Sequence, residues 1–182
     1  MKLSAKQIAT SAMLLAICIV SMFLKNTSVY LTGPIVNACL ILEVLTCGLV
    51  CSIILSIITP VLSFLITGAP IIAAVPLVMP MIMIGNIILV VFVWLFTKKF
   101  NVIKKISLDM LIGGVAGAVA KALFMGIVIG RIILPNMLPE QMMPKLPVLQ
   151  NTYSVTQLVT ALIGIVYAYI IWAVLKKLNY EN

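Results

Sequence analysis

Six apolar stretches divide the chain, at about 7–24, 35–47, 49–66, 80–97, 106–133 and 153–175, and each is nearly free of charged side chains. A helix buried in a soluble core needs roughly 10–14 such residues, whereas one that crosses the hydrocarbon of a bilayer needs about 20. With 64% hydrophobic and 9% charged residues among 182, and a mean hydropathy of +1.29, the chain has too little polar surface to clothe a soluble globule. The expected fold is therefore an all-α integral membrane protein, a compact bundle of six transmembrane helices forming one membrane domain over 1–182. The first stretch has no small-residue cleavage site followed by a polar segment, so it is expected to stay as a span. Gly33-Pro34 marks the expected start of the second, because proline suits a first helical turn. The second and third stretches are almost continuous, which leaves one long helix plus a re-entrant piece as an alternative to two spans.

Charge sets the orientation. Lys2, Lys6, Lys98, Lys99, Lys104, Lys105, Lys176 and Lys177 fall on one side of a six-span arrangement, and Lys25, Arg131 and Lys145 on the other. The excess side faces the cytoplasm, with both termini, in a multi-pass membrane protein. Topology thus accounts for most of the net charge of +8, and the scattered cations form no nucleic-acid patch.

Chemistry is excluded more than it is suggested. The chain has no histidine, no phosphate-cradling glycine loop ending in Lys-Ser/Thr, and no serine beside a base. No enzyme, catalytic residue, metal or cofactor is expected. Cys18, Cys39, Cys47 and Cys51 lie inside apolar stretches, and the last two read as one helix face rather than a metal clip.

The polar residues inside the spans are the informative ones, since each is costly in hydrocarbon. At about 1.5 Å per residue, Lys121 lies roughly 18 Å below an outer end near Ile133, and Glu43 roughly 12 Å below an outer start near Ile35. Asn86 lies at roughly 12 Å and Gln157 at roughly 6 Å by the same rise. Asn37, Thr59 and Thr156 belong to the same outer half. Lys121 and Glu43 either pair as a structural ion pair or face a ligand, or both; Asn86 either bonds a neighbouring helix or lines a pocket. Their shared depth points to a pocket that opens outward, lined by Asn37, Glu43, Asn86, Lys121, Tyr153 and Gln157. Gly113, Gly117 and Lys121, spaced by four, let a backbone or ligand approach one face of the fifth helix. The proline-rich segments "TGAPIIAAVPLVMP" and "LPNMLPEQMMPKLPVLQNTY" read as folded caps over the outer end.

"GPIVNACLIL", a proline-interrupted third helix, "PMIMIGNIILVVFVWLF", a lysine in the fifth helix and "YSVTQLVTALIG" together resemble the substrate-binding membrane subunit, or S component, of energy-coupling factor (ECF) vitamin transporters. The resemblance covers nearly the whole chain. It implies a high-affinity, outward-facing vitamin site closed by the outer loops. It also implies docking on a membrane coupling protein (T component) served by two cytoplasmic ATPases, with toppling of the whole subunit to deliver the substrate. Such proteins carry an alanine pair on helix one that packs against the coupling protein, and Ala12 and Ala16 stand at that spacing here. A floor lysine favours a ligand with a carboxylate or phosphate unless Glu43 neutralises it. Pantothenate, a pyridine vitamin or a similar small precursor would fit, while folate, riboflavin, thiamine and the cobalamin and queuosine precursors stay open. The competing reading is a non-transport six-span scaffold of a cell-envelope complex, in which Lys121 and Glu43 simply pair; a self-sufficient carrier is disfavoured by the lack of an inverted repeat.

Overall fold

The structure is a computed structural model that describes residues 4–24, 28–100 and 106–180. Among these there is no strand, and six helices are long and apolar enough to cross a membrane. Lys2, Lys25, Lys104 and Lys105, part of the orientation argument, lie outside the described residues. Lys6, Lys98, Lys99, Lys176 and Lys177 sit at helix ends on one side of the alternating bundle, with Arg131 and Lys145 opposite.

Helix α1 (Ala5–Phe23) opens with a capping box in which Ser4 Oγ accepts from the Gln7 amide at 3.2 Å and Gln7 Oε1 accepts from the Ser4 amide at 3.0 Å. Helix α2 spans Val29–Thr46, so it begins six residues before the expected start, and Pro34 lies inside it. One proline removes a single backbone bond, which neighbouring helices offset in a membrane bundle. A turn at Gly48, whose φ of 89° suits a residue without Cβ, separates α2 from α3 (Leu49–Thr67) and rules out one continuous helix. Cys47 lies in that turn, just past the end of α2, and Cys51 in the first turn of α3, so the two do not share one helix face.

The short helix α4 (Pro70–Ala74) leads to α5 (Val78–Trp94), which ends in a π-helical turn at Leu95–Phe100. Helix α6 (Ile106–Met125) continues through π-helical turns at Gly126–Ile133 into α7 (Leu134–Met137). A 3-10 segment (Glu140–Lys145) and α8 (Leu146–Tyr153) follow, and the chain breaks at Ser154 before α9 (Val155–Tyr180). Tyr153 therefore closes α8 instead of opening the last span. Both proline-rich segments fold into short helices, and their Ile72, Val75, Leu134, Leu138 and Tyr153 join Met125 and Ile129 in an apolar cluster of their own.

Helix α2 is the centre of the bundle, packed on α1, α3, α5 and α9. It is apolar on every side and more deeply buried than the others, as a helix surrounded by helices must be. Helix α9 crosses it so closely that a Cβ on Gly164 would stand 2.8 Å from Asn37 Cβ and from the Pro34 carbonyl oxygen. At Gly117 a Cβ would stand 3.1 Å from the Leu89 carbonyl oxygen, so α5 and α6 also meet nearly backbone to backbone. Because α2 also packs on α5, the side chain of Lys121 on α6 can reach both α2 and α5.

Candidate functional site

Lys121 follows Gly113 by two turns and Gly117 by one on the face of α6 that meets α5. Its ammonium lies between α2 and α5, only 3% exposed, and donates to Asn37 Oδ1 at 2.7 Å and to Asn86 Oδ1 at 2.8 Å. An ammonium can only donate, so both amides must turn their oxygens toward it. Their NH2 groups are thereby released to point elsewhere. No carboxylate touches Lys121 among the described residues, so the ammonium rests on two neutral amide oxygens and keeps one N–H without a partner among them.

The three side chains form the floor of a cavity of about 250 Å³. Its walls carry Val36 and Thr32 of α2, Thr59 and Pro60 of α3, and Ile82 of α5. Above them, Ile71 and Ile72 of α4 and Leu149, Thr152 and Tyr153 of α8 close over it. The expected caps are thus part of the cavity wall. The hydroxyls of Thr32 and Thr59 donate to backbone carbonyls, of Ser21 at 2.8 Å and of Leu55 at 2.9 Å, which satisfies them without a ligand. No hydrogen bond engages the Gln157 amide or the Tyr153 hydroxyl among the described residues, although Tyr153 is only 6% exposed.

Of the six side chains expected to line a pocket, Asn37, Asn86, Lys121, Tyr153 and Gln157 meet around this one cavity. Glu43 does not. Because α2 starts at Val29, Glu43 lies fourteen residues in, roughly 21 Å along the helix, against roughly 12 Å for Asn37. It is fully buried at the opposite end of the bundle, where Oε1 accepts a hydrogen bond from Ser11 of α1 and Oε2 has no partner. The ion pair between Lys121 and Glu43 is therefore absent, and so is a ligand-facing role for Glu43 at this floor. Thr156 also misses the cavity, its hydroxyl 3.5 Å from that of Tyr30. Ser63 was overlooked, though it stands one helical turn above Thr59 on the same face of α3 and lines the cavity. Ala12 and Ala16 are exposed together on the outer face of α1.

A family model described as the substrate-specific component of ECF transporters matches residues 6–176, nearly the whole chain. The chain belongs to that family. No curated protein and no solved structure gives a significant match. As an ECF S component it is a multi-pass, all-α membrane protein and the substrate-specific subunit of an importer, a family of binding subunits and not of enzymes. In this S component, Lys121, Asn37 and Asn86 bring buried hydrogen-bonding groups of three helices together at the floor of a mainly apolar hollow, the kind of arrangement that small-molecule sites use.

Proposed function

We propose that this S component captures a small vitamin or similar micronutrient from outside the cell, with high affinity, by an anionic group that meets Lys121. The observation that carries the reading is the buried ammonium held by two amide oxygens and no carboxylate. An ammonium so held lacks a counter-charge, and a carboxylate or phosphate would supply it through charge-assisted hydrogen bonds. The scaffold reading needed Lys121 and Glu43 to neutralise each other, whereas Lys121 bonds Asn37 and Asn86 and Glu43 bonds Ser11 nearer the other end of α2.

Delivery follows by docking on a T component driven by two ATPases. Ala12 and Ala16 support α1 as the docking surface, since small side chains let a partner helix come close. Beside them an apolar groove of about 370 Å³ runs between Met13 and Ile17 of α1 and Ile171 and Leu175 of α9, floored by Ala38 and Leu42 of α2.

Native mass spectrometry of the protein purified from cells grown in rich medium tests the capture step. A small anionic metabolite is expected on the wild type and absent from Lys121→Ala, with both proteins equally helical. A retained metabolite on the variant, or bare protein in every wild-type preparation, would contradict it.

A further inference from the structure

The wall of the cavity narrows the ligand beyond an anion, provided that this cavity is the substrate site. Lys121 is the one charged residue lining it among the described residues, so one unit of negative charge completes the floor and a second would stand unpaired. A cation would face Lys121 directly. Lys121 takes both amide oxygens, so the floor offers its remaining N–H and the NH2 groups of Asn37 and Asn86. That is a set of donors with no acceptor, suited to the two oxygens of a carboxylate.

Between floor and mouth the wall is mainly aliphatic, with Val29, Val36, Ile72, Ile82 and Leu149, and the hydroxyls of Thr32, Thr59 and Thr152 that also line it already donate to backbone carbonyls. Tyr153 is the one aromatic residue in the lining among the described residues, which offers no pair of rings to sandwich a flat heterocycle. At the mouth, the Gln157 amide and the Tyr153 hydroxyl offer neutral donors and acceptors. Gln157 lies two residues into α9 and Asn37 eight residues into α2, a difference in depth of roughly 9 Å.

From this arrangement we infer that the substrate is an aliphatic monocarboxylate bound carboxylate first against Lys121, Asn37 and Asn86. Its far end, roughly 9 Å away by the helix rise, carries a hydroxyl or amide that meets Gln157 and Tyr153. The rest of the molecule is uncharged and saturated, because the wall has nothing to pair with a further charge.

Calorimetric titration of the full chain in lipid nanodiscs tests this with pantothenate and biotin, each beside its own primary amide. Thiamine, riboflavin and pyridoxal phosphate serve as the cationic, flat and dianionic probes. At least one acid is expected to bind, and its amide to bind roughly 10- to 100-fold more weakly, the range for losing charge-assisted hydrogen bonds. In Lys121→Met the acid and the amide are expected to converge, and Gln157→Leu should weaken binding while keeping the preference for the acid. An amide that equals its acid, or any of the other three probes binding more tightly than every acid, overturns the monocarboxylate and leaves substrate capture intact. Failure of all probes to bind the wild type overturns the monocarboxylate and counts against the cavity as a substrate site as well.

Discussion

Asn37 of α2 accepts a 2.7 Å hydrogen bond from Lys121 of α6, although the two residues are 84 positions apart in the chain. With Asn86 of α5 completing the set at 2.8 Å, three helices are joined through one nitrogen. The same nitrogen stands at the floor of the cavity, so the group that ties the bundle together is the group a ligand would meet.

Removing one acceptor leaves that nitrogen short of a partner. Asn86→Leu is expected to lower stability by about 1–3 kcal/mol, the penalty for an unsatisfied buried polar group. Lys121→Met combined with Asn86→Leu should recover most of the loss, because an apolar pair leaves no orphan. Thermal denaturation of the two variants in nanodiscs checks the sign, and a double variant no more stable than the single one would refute the coupling.

Glu43 is expected to be silent in binding. It sits roughly 9 Å further along α2 than Asn37 by the helix rise, and it bonds Ser11. Glu43→Gln should leave substrate affinity within about twofold, as distant sites act independently. A large loss of affinity in calorimetry would place Glu43 back in the pocket.

The crossing of α9 over α2 tolerates no side chain at residue 164. Gly164→Leu would press against Asn37 and the Pro34 carbonyl, each 2.8 Å from a bare Cβ. A cost of about 1–3 kcal/mol is expected from overpacking, together with weaker binding as Asn37 shifts away from Lys121. Denaturation and titration of the same sample test both effects, and a variant with wild-type values in each would contradict the close approach.

Bulky residues on the exposed face of α1 should separate capture from delivery. Ala12→Leu with Ala16→Leu is expected to spare binding, since neither residue lines the cavity, and to stop ATP-dependent uptake in cells that supply the T component and ATPases. Unimpaired uptake would remove this face from the docking surface.

Burial cost made much of the site legible in the sequence. Lys121, Asn37 and Asn86 are conspicuous because hydrocarbon penalises every polar atom, and counting the rise per residue was enough to group them. The same count misplaced Glu43, because Gly33-Pro34 reads as a helix start in water-based rules while α2 continues through Pro34 from Val29. The break at Ser154 carries no glycine or proline to announce it, so Tyr153 was assigned to the wrong helix. Which cap residues would form the wall was hidden for a different reason. Ile72 and Leu149 reach the cavity only through the packing of α4 and α8 on the bundle, a tertiary arrangement with no local signature.

The most direct measurement is an experimentally determined structure of this S component with its substrate bound. An anionic oxygen of the ligand is expected about 2.7–2.9 Å from Lys121 Nζ, the distance of a charge-assisted hydrogen bond, with Asn37 and Asn86 beside it. A substrate bound elsewhere, or one that turns an uncharged apolar end toward Lys121, would contradict the account.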